Sequence, residues 1–108
     1  MSDFSIDRSL YALWKSQSAW SQATFGSDNV RGPIGVLKHL EREAREAQAA
    51  PDDAAEYADC LLLILDAARR SGLDFDALVE ATWAKHRVNV GRIWPVSDVD
   101  DEPIEHVR

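Results

Sequence analysis

Cysteine, an excess of basic residues and long apolar runs are all missing or nearly missing from this chain of 108 residues. The single cysteine, Cys60, excludes an internal disulfide and is typical of a reducing compartment. The net charge of −7 argues against polymeric nucleic acid, which requires basic patches to neutralise its phosphates. The longest apolar run, Cys60 to Leu65, is far shorter than the ~20 residues that span a bilayer. We therefore expect a soluble cytoplasmic protein that binds neither membranes nor nucleic acid.

The hydrophobic fraction of 45% is sufficient for one packed core, and the length leaves no room for a second. Apolar residues recur at helical spacing, and no hairpin pattern of strands is present. The pattern predicts an all-α domain over residues 1–95, a four-helix bundle. The helices are expected at about 5–22, 34–49, 53–71 and from 74 or 76 to 93. The acidic residues 96–108 lack periodicity and are expected to form a tail, disordered unless a partner subunit holds it.

Several local signals refine this arrangement. Ser5 or Asp7 is expected to cap the first helix. The segment 24–33 is rich in glycine, asparagine and aspartate and predicts a loop of the kind that often carries function. The run from Cys60 to Leu65 is hydrophobic all the way round, which predicts a third helix that is buried on several sides. Gly72 is expected to take the left-handed turn that ends this helix.

Two pairs of carboxylates stand at equal distances on either side of Pro51: Glu43 with Glu46, and Glu56 with Asp59. Within each pair the spacing of three residues places both side chains on one helical face. If the chain turns at Pro51 into an antiparallel hairpin, Glu46 meets Glu56 and Glu43 meets Asp59. The pairs adjoin apolar stripes, and carboxylates that face a core are costly unless they bind cations. Such a density of oxygen ligands suits Mg²⁺ or Mn²⁺.

Other interpretations of these acids remain open at this point. Each acid taken singly is typical of a solvated helix surface, and Asp53 with Glu56 fits a capping box. A di-iron centre is a further alternative, but it requires a Glu-x-x-His pattern from two helices. The only histidine near the acids is His39, four residues before Glu43. We therefore give di-iron little weight.

The last predicted helix carries a second polar group, formed by Lys85, Asn89 and Arg92. Spacings of four and three place them on one face, continuous with the apolar positions that begin at Phe75. They could form ion pairs with the carboxylates. They could equally bind the anionic part of a substrate whose other end contacts the metal.

Taken together, these motifs resemble the MazG-like, all-α nucleoside triphosphate pyrophosphohydrolases. The resemblance is to the branch that contains dATP/dGTP diphosphohydrolases of phages and bacteria, and it covers about residues 14–95. It is carried by Glu43-x-x-Glu46, Glu56-x-x-Asp59, Lys85-x-x-x-Asn89-x-x-Arg92, WSQATFG at 20–26 and GVLKHLEREAREA at 35–47. It implies hydrolysis of purine deoxynucleoside triphosphates to the monophosphate and pyrophosphate. For a phage-encoded chain, the cytoplasm in question would be that of the host.

The resemblance also implies roles for individual residues. The catalytic and metal-binding residues would be Glu43, Glu46, Glu56 and Asp59, holding two or three Mg²⁺ or Mn²⁺ ions. The phosphates or the sugar would contact Lys85, Asn89 and, more weakly, Arg92. The remaining predicted substrate-binding residues are Trp20 and Phe25, which could stack on the base, and Lys38 and His39, which precede the acidic face. Members of the family work as homodimers or homotetramers.

This chain departs from the family pattern in two places. Arg42 stands where the family often has another glutamate, so an extra metal ligand is lacking at this position unless Glu41 supplies it. The interval from Glu46 to Glu56 is on the short side for the family. Two rival functions stay open. A related enzyme could act on the pyrimidine nucleotides dCTP or dUTP, because the phosphate chemistry does not depend on the base. A non-catalytic helical dimerisation module could use its acidic and basic residues only for pairing.

Overall fold

A computed structural model describes residues 9–97 and 99–108 of the chain. Within these residues it contains four helices and no strand, which confirms the all-α prediction. The helices are α1 (Leu10–Phe25), α2 (Ile34–Ala49), α3 (Ala54–Arg70) and α4 (Phe75–Val90). Across the described part of the chain, no helix is long and apolar enough to cross a membrane.

The first helix begins and ends later than the sequence predicts. Ser9 caps α1, and its hydroxyl oxygen accepts a hydrogen bond from the Ala12 N–H at 3.1 Å. The predicted caps at positions 5 and 7 lie outside the described residues. The helix continues to Phe25 because the positive φ of +111° at Gly26 ends it, whereas the polar residues before this glycine are compatible with a helix. The loop to α2 is therefore shorter than predicted.

The second and third helices form the predicted hairpin. Asp53 caps α3, and its carboxylate accepts a hydrogen bond from the Ala55 N–H at 2.9 Å. The Tyr57 hydroxyl donates to the Pro51 carbonyl at 2.8 Å and so holds the turn from the α3 side. The two helices pack closely against each other, and α1 packs on α3. The hairpin thus places the last turns of α2 opposite the first turns of α3.

The core lies between α1 and the carboxyl-terminal half of α3, where Trp14, Leu65 and Ala67 are buried. Phe75 extends it, because its ring lies 5.7 Å from that of Trp14 in an edge-to-face contact. The prediction that the apolar run of α3 is buried on several sides is wrong for this single chain. Leu61 and Ile64 are 45% and 44% exposed, because α1 and α2 cover only part of the circumference of α3.

The chain divides into two compact units, the first ending at Phe75 and the second beginning at Asp76. Before the division, Gly72 takes the predicted left-handed conformation with a φ of +101°. In the second unit α4 ends at Val90 and not at 93, because glycine follows immediately. The segment beyond it folds back on itself, and the Val107 N–H donates to the Ile93 carbonyl at 2.7 Å. The boundary of a separate tail at residue 96 stays a prediction.

Candidate functional site

Three of the four predicted carboxylates converge across the hairpin. Glu43 and Glu46 come from one face of α2, and Glu56 comes from the first turn of α3. One oxygen from each lies within 4.8 Å of the other two. We call this group the carboxylate cluster. The mirror spacing about the turn therefore brings Glu46 to Glu56, as the sequence predicts.

The cluster is electrostatically unfavourable by itself. A shared hydrogen bond with Glu43 and the negative charge of that residue raise the pKa of Glu46. Loss of hydration raises the pKa of Glu56, and the charges of Glu46, Asp53 and Asp59 raise it further. Within the described residues, the Oε2 atoms of Glu43 and Glu56 are buried and have no hydrogen-bond partner. Buried oxygens of this kind are costly unless a cation binds them.

The capping role that the sequence allowed for Glu56 is not what the structure shows. In a capping box the glutamate side chain accepts a hydrogen bond from the backbone N–H of the capping residue. Here the Asp53 N–H donates instead to the Ala50 carbonyl at 3.0 Å. Asp53 caps α3 without help from Glu56, whose carboxylate is directed into the cluster.

Two further predicted residues adjoin the cluster. The Nε2 atom of His39 lies 3.0 Å from Glu43 Oε1 and fixes the orientation of that carboxylate. Asp59, the fourth predicted acid, is exposed and lies outside the group of three. It lines a cavity together with Glu43 and His39. The contact of Glu43 with Asp59 stays a prediction.

This cavity has a volume of about 440 Å³, opens to solvent and is lined by residues of α1, α2 and α3. Trp20 and Phe25 form its aromatic wall, with their rings in edge-to-face contact at 5.4 Å. We call it the aromatic cavity. Its lining comprises Leu13, Ser16, Gln17, Trp20, Ser21, Phe25, His39, Glu43, Asp59, Leu62, Leu63 and Asp66. A second cavity of about 390 Å³ adjoins it and shares Phe25, His39, Leu63 and Asp66.

Behind the cavities lies a buried polar network that the sequence analysis missed. Asp66 is 5% exposed and accepts hydrogen bonds from Arg69 at 2.8 Å and from Arg70 at 3.1 Å. Arg70 also donates to the Gly26 carbonyl at 3.1 Å and to the Ser21 hydroxyl at 2.9 Å. The network therefore fixes the end of α1 and the following loop against α3.

By their positions in the sequence, the two arginines are typical basic residues in the last turn of a helix, where they interact favourably with its dipole. The spacing of Asp66 four residues before Arg70, directly after the apolar run, was the available signal of a buried ion pair. Their partners on α1 lie 49 to 52 residues away in the sequence, and the helical pattern does not identify them.

The predicted residues of α4 lie in the second unit. Lys85 and Asn89 line one shallow depression on the helix surface. Arg92 donates to the Asn89 side-chain oxygen at 3.3 Å, so all three lie together within that unit. In the first unit, Lys38 is exposed on α2 and lines neither of the cavities described above.

Comparison with known proteins identifies the family. Residues 13–108 match the family model of dATP/dGTP pyrophosphohydrolase. The chain belongs to this family. The MazG-like pyrophosphohydrolase of cyanophage S-2L has a similar solved structure, with 30% sequence identity and a TM-score of 0.71 over 93% of this chain and 98% of that one. That structure is bound to dGDP and three catalytic Mn²⁺ ions per active site.

A curated relative is also similar. The Eaa protein of Salmonella phage P22 is 40% identical over 94 residues, which are 87% of this chain and 28% of that protein. The chain thus spans less than a third of the length of this relative. Membership in the dATP/dGTP pyrophosphohydrolase family confirms the resemblance to MazG-like enzymes and the predicted enzyme class.

Proposed function

We propose that this chain hydrolyses the purine nucleotides dATP and dGTP to the monophosphate and pyrophosphate, with Mg²⁺ or Mn²⁺ held by its carboxylates. The observation that carries this proposal is the carboxylate cluster beside a cavity that has an aromatic wall. Two buried oxygens of the cluster have no hydrogen-bond partner in the part of the chain that the structure describes. The family match and the metal and nucleotide of the cyanophage relative support it.

The residues present fit divalent metal ions. Carboxylate oxygens are the ligands that Mg²⁺ and Mn²⁺ prefer, and a cation would neutralise the repulsion that raises the pKa values of Glu46 and Glu56. It would also satisfy the buried Oε2 atoms of Glu43 and Glu56. Asp59 would complete the ligand set from the rim of the cavity, for two or three ions. Such ions, when bound, neutralise phosphate charge and lower the pKa of water.

The chain's own residues would then position the substrate and transfer a proton. Glu46 is exposed, and its raised pKa suits a carboxylate that accepts a proton from the attacking water. The hydrogen bond from His39 keeps Glu43 in a fixed orientation during this step. Contact of the phosphates or the sugar with Lys85, Asn89 and Arg92 stays a prediction of the family resemblance. Lys38 would contribute positive charge from α2.

The aromatic cavity provides the site for the base. Trp20 and Phe25 are 59% and 52% exposed, so their rings are available for stacking. Stacking on an aromatic side chain contributes about 1–3 kcal/mol per base. The fused rings of a purine offer a larger face than a pyrimidine does, which favours dATP and dGTP over dCTP and dUTP.

The experiment is to measure pyrophosphate release from dATP, dGTP, dCTP and dUTP in Mn²⁺, with matched reactions in EDTA. We expect release from the two purine nucleotides and none in EDTA. Release from the pyrimidine nucleotides alone would overturn the base assignment and leave the chemistry intact. Full activity in EDTA would contradict the metal dependence, and no release from any nucleotide would overturn the proposed activity.

A further inference from the structure

Most polar side chains that line the aromatic cavity already have fixed hydrogen-bonding roles. Gln17 Oε1 accepts a hydrogen bond from Arg69 at 3.1 Å, which leaves its amide nitrogen to donate to Asp66. The Ser21 hydroxyl accepts from Arg70 at 2.9 Å and donates to Asp66. Asp66 in turn accepts from both arginines. None of these groups can change between donor and acceptor to suit a ligand.

The remaining charged and aromatic groups are also fixed in polarity. Under the proposed function Asp59 and Glu43 hold a cation, and a carboxylate that does so offers only acceptor oxygens. Because Glu43 accepts, His39 donates through Nε2, and in the neutral ring its other nitrogen is then an acceptor. The Trp20 indole N–H can only donate.

Ser16 is the exception. Its side chain lines the aromatic cavity, and among the described residues its hydroxyl has no hydrogen-bond partner. A hydroxyl can rotate to donate a hydrogen bond or to accept one. Ser16 therefore supplies a group of adaptable polarity on the α1 wall of the cavity, one helical turn before Trp20.

Adenine and guanine differ in hydrogen-bonding polarity at position 6, and a hydroxyl can bind either form. Position 6 of adenine carries an amino group, a donor, whereas position 6 of guanine carries a carbonyl oxygen, an acceptor. A site that binds both bases through this position requires a partner that can reverse its role. We propose that the Ser16 hydroxyl contacts position 6 of the purine and allows one cavity to accept both adenine and guanine. This inference rests on the proposed function.

The arrangement of the cavity agrees with this assignment. The phosphates would lie at Glu43 and Asp59, which come from α2 and α3, whereas Ser16 and Trp20 come from α1. A nucleotide with its phosphates at the acids has the six-membered ring of its purine at the far end of the molecule. That ring carries position 6, and stacking against Trp20 would bring its edge towards the residue one turn earlier on the same helix.

The test compares Ser16→Ala with the wild-type chain on three substrates in Mn²⁺: dATP, dGTP and purine 2′-deoxyriboside 5′-triphosphate, which carries only hydrogen at position 6. We expect kcat/KM to fall about 5- to 10-fold for dATP and dGTP and to change little for the third substrate. Ser18→Ala is the matched control. The Ser18 hydroxyl donates to the Trp14 carbonyl within α1 at 2.6 Å and is not part of the cavity lining, so this change should leave all three rates as they are.

A second variant tests the adaptable polarity directly. Ser16→Asp replaces the hydroxyl by a group that only accepts, so the ratio of kcat/KM for dATP over dGTP should rise about 10-fold. Equal losses on all three substrates in Ser16→Ala, no loss on any, or an unchanged ratio in Ser16→Asp would overturn this inference while the proposed function stands. A wild-type chain inactive on all three substrates would overturn the proposed function and this inference with it.

Discussion

Glu56 combines a cost to the folded chain with a role in the proposed site. Loss of hydration raises the pKa of its carboxyl group, and the negative charges of Glu46, Asp53 and Asp59 raise it further. One of its oxygens is buried and has no hydrogen-bond partner among the described residues. Glu56→Gln should therefore abolish pyrophosphate release, because a metal ligand is lost. In EDTA its Tm should equal or exceed that of the wild type, because one of several mutually repelling charges has been removed.

The matched control for this variant is Glu41→Gln. Glu41 is exposed on the same helix as Glu43, and its ion-pair partner within the described part of the chain is Arg45, so its replacement should leave activity unchanged. A Glu56→Gln enzyme that retains wild-type activity would remove Glu56 from the ligand set.

Metal binding to the carboxylate cluster should be visible without any substrate. Mn²⁺ binds the folded arrangement and relieves its repulsion, so thermal unfolding in excess Mn²⁺ should occur at a higher Tm than in EDTA. A free ion concentration of 100 times Kd stabilises the folded state by about 2.7 kcal/mol. The shift should be smaller in Glu56→Gln. Equal shifts in the variant and the wild type would show that the ion binds elsewhere.

The helical hairpin of α2 and α3 is the element that the sequence predicts best. Its signals are local: Ala49 precedes a proline turn, Asp53 caps the next helix, and the acids mirror each other about Pro51. The Asp66–Arg70 pair is different. Its helical spacing is visible, but its burial depends on the end of α1, whose packing against α3 is set by tertiary contacts. Local patterns specify the hairpin and its acids, and they do not specify what supports the cavity behind them.

Asp66→Asn tests how much the network of Asp66, Arg69 and Arg70 stabilises the folded chain. The carboxylate accepts from two arginines at a buried position. Its neutralisation leaves both positive charges with Asp28, whose side chain is partly exposed, as the remaining counterion among the described residues. Removal of one partner from a buried ion pair typically destabilises a protein by about 3 kcal/mol or more. We expect a loss of this size in urea unfolding, whereas Glu41→Gln, in an exposed pair, should change stability by less than about 0.5 kcal/mol. Similar losses of unfolding free energy in the two variants would contradict a stabilising role of the buried network.

The same carboxylate gives the network a defined response to pH. Burial opposes ionisation of Asp66, but hydrogen bonds from Ser21, Arg69, Gln17 and Arg70 outweigh it and lower its pKa. The ordinary pKa of an aspartate, which applies to the unfolded chain, is about 3.9. At a pH between this value and the lower pKa of the folded chain, the unfolded chain binds more protons than the folded chain does. The stabilisation that ionised Asp66 gives the folded chain is therefore lost as the pH falls through this range. The difference in unfolding free energy between the wild type and Asp66→Asn should therefore narrow below about pH 4. If the difference in unfolding free energy stays constant from pH 6 to pH 3, ionisation of Asp66 is not the source of the stabilisation.

At the scale of the whole molecule, α3 leaves an apolar face exposed. Tyr57, Leu61 and Ile64 recur at i, i+4 and i+7, and all three are more than 40% exposed. The sequence predicted burial here because the run is apolar all round, and packing within one chain covers only part of it. A continuous apolar face of this kind typically marks a protein interface. We propose that a second copy of the chain covers it, in the homodimer or homotetramer that the family resemblance implies.

Leu61→Arg should separate the subunits, because a buried unpaired charge at an interface is strongly unfavourable. We expect light scattering after size exclusion to give at least twice the monomer mass of 12.1 kDa for the wild type and a smaller mass for the variant. Val30→Arg is the matched control, because Val30 is 78% exposed in the loop after α1 and away from this face. A helical far-UV spectrum in Leu61→Arg would show that the subunits separate without unfolding. An unchanged mass in Leu61→Arg, or an equal loss in Val30→Arg, would place the interface elsewhere.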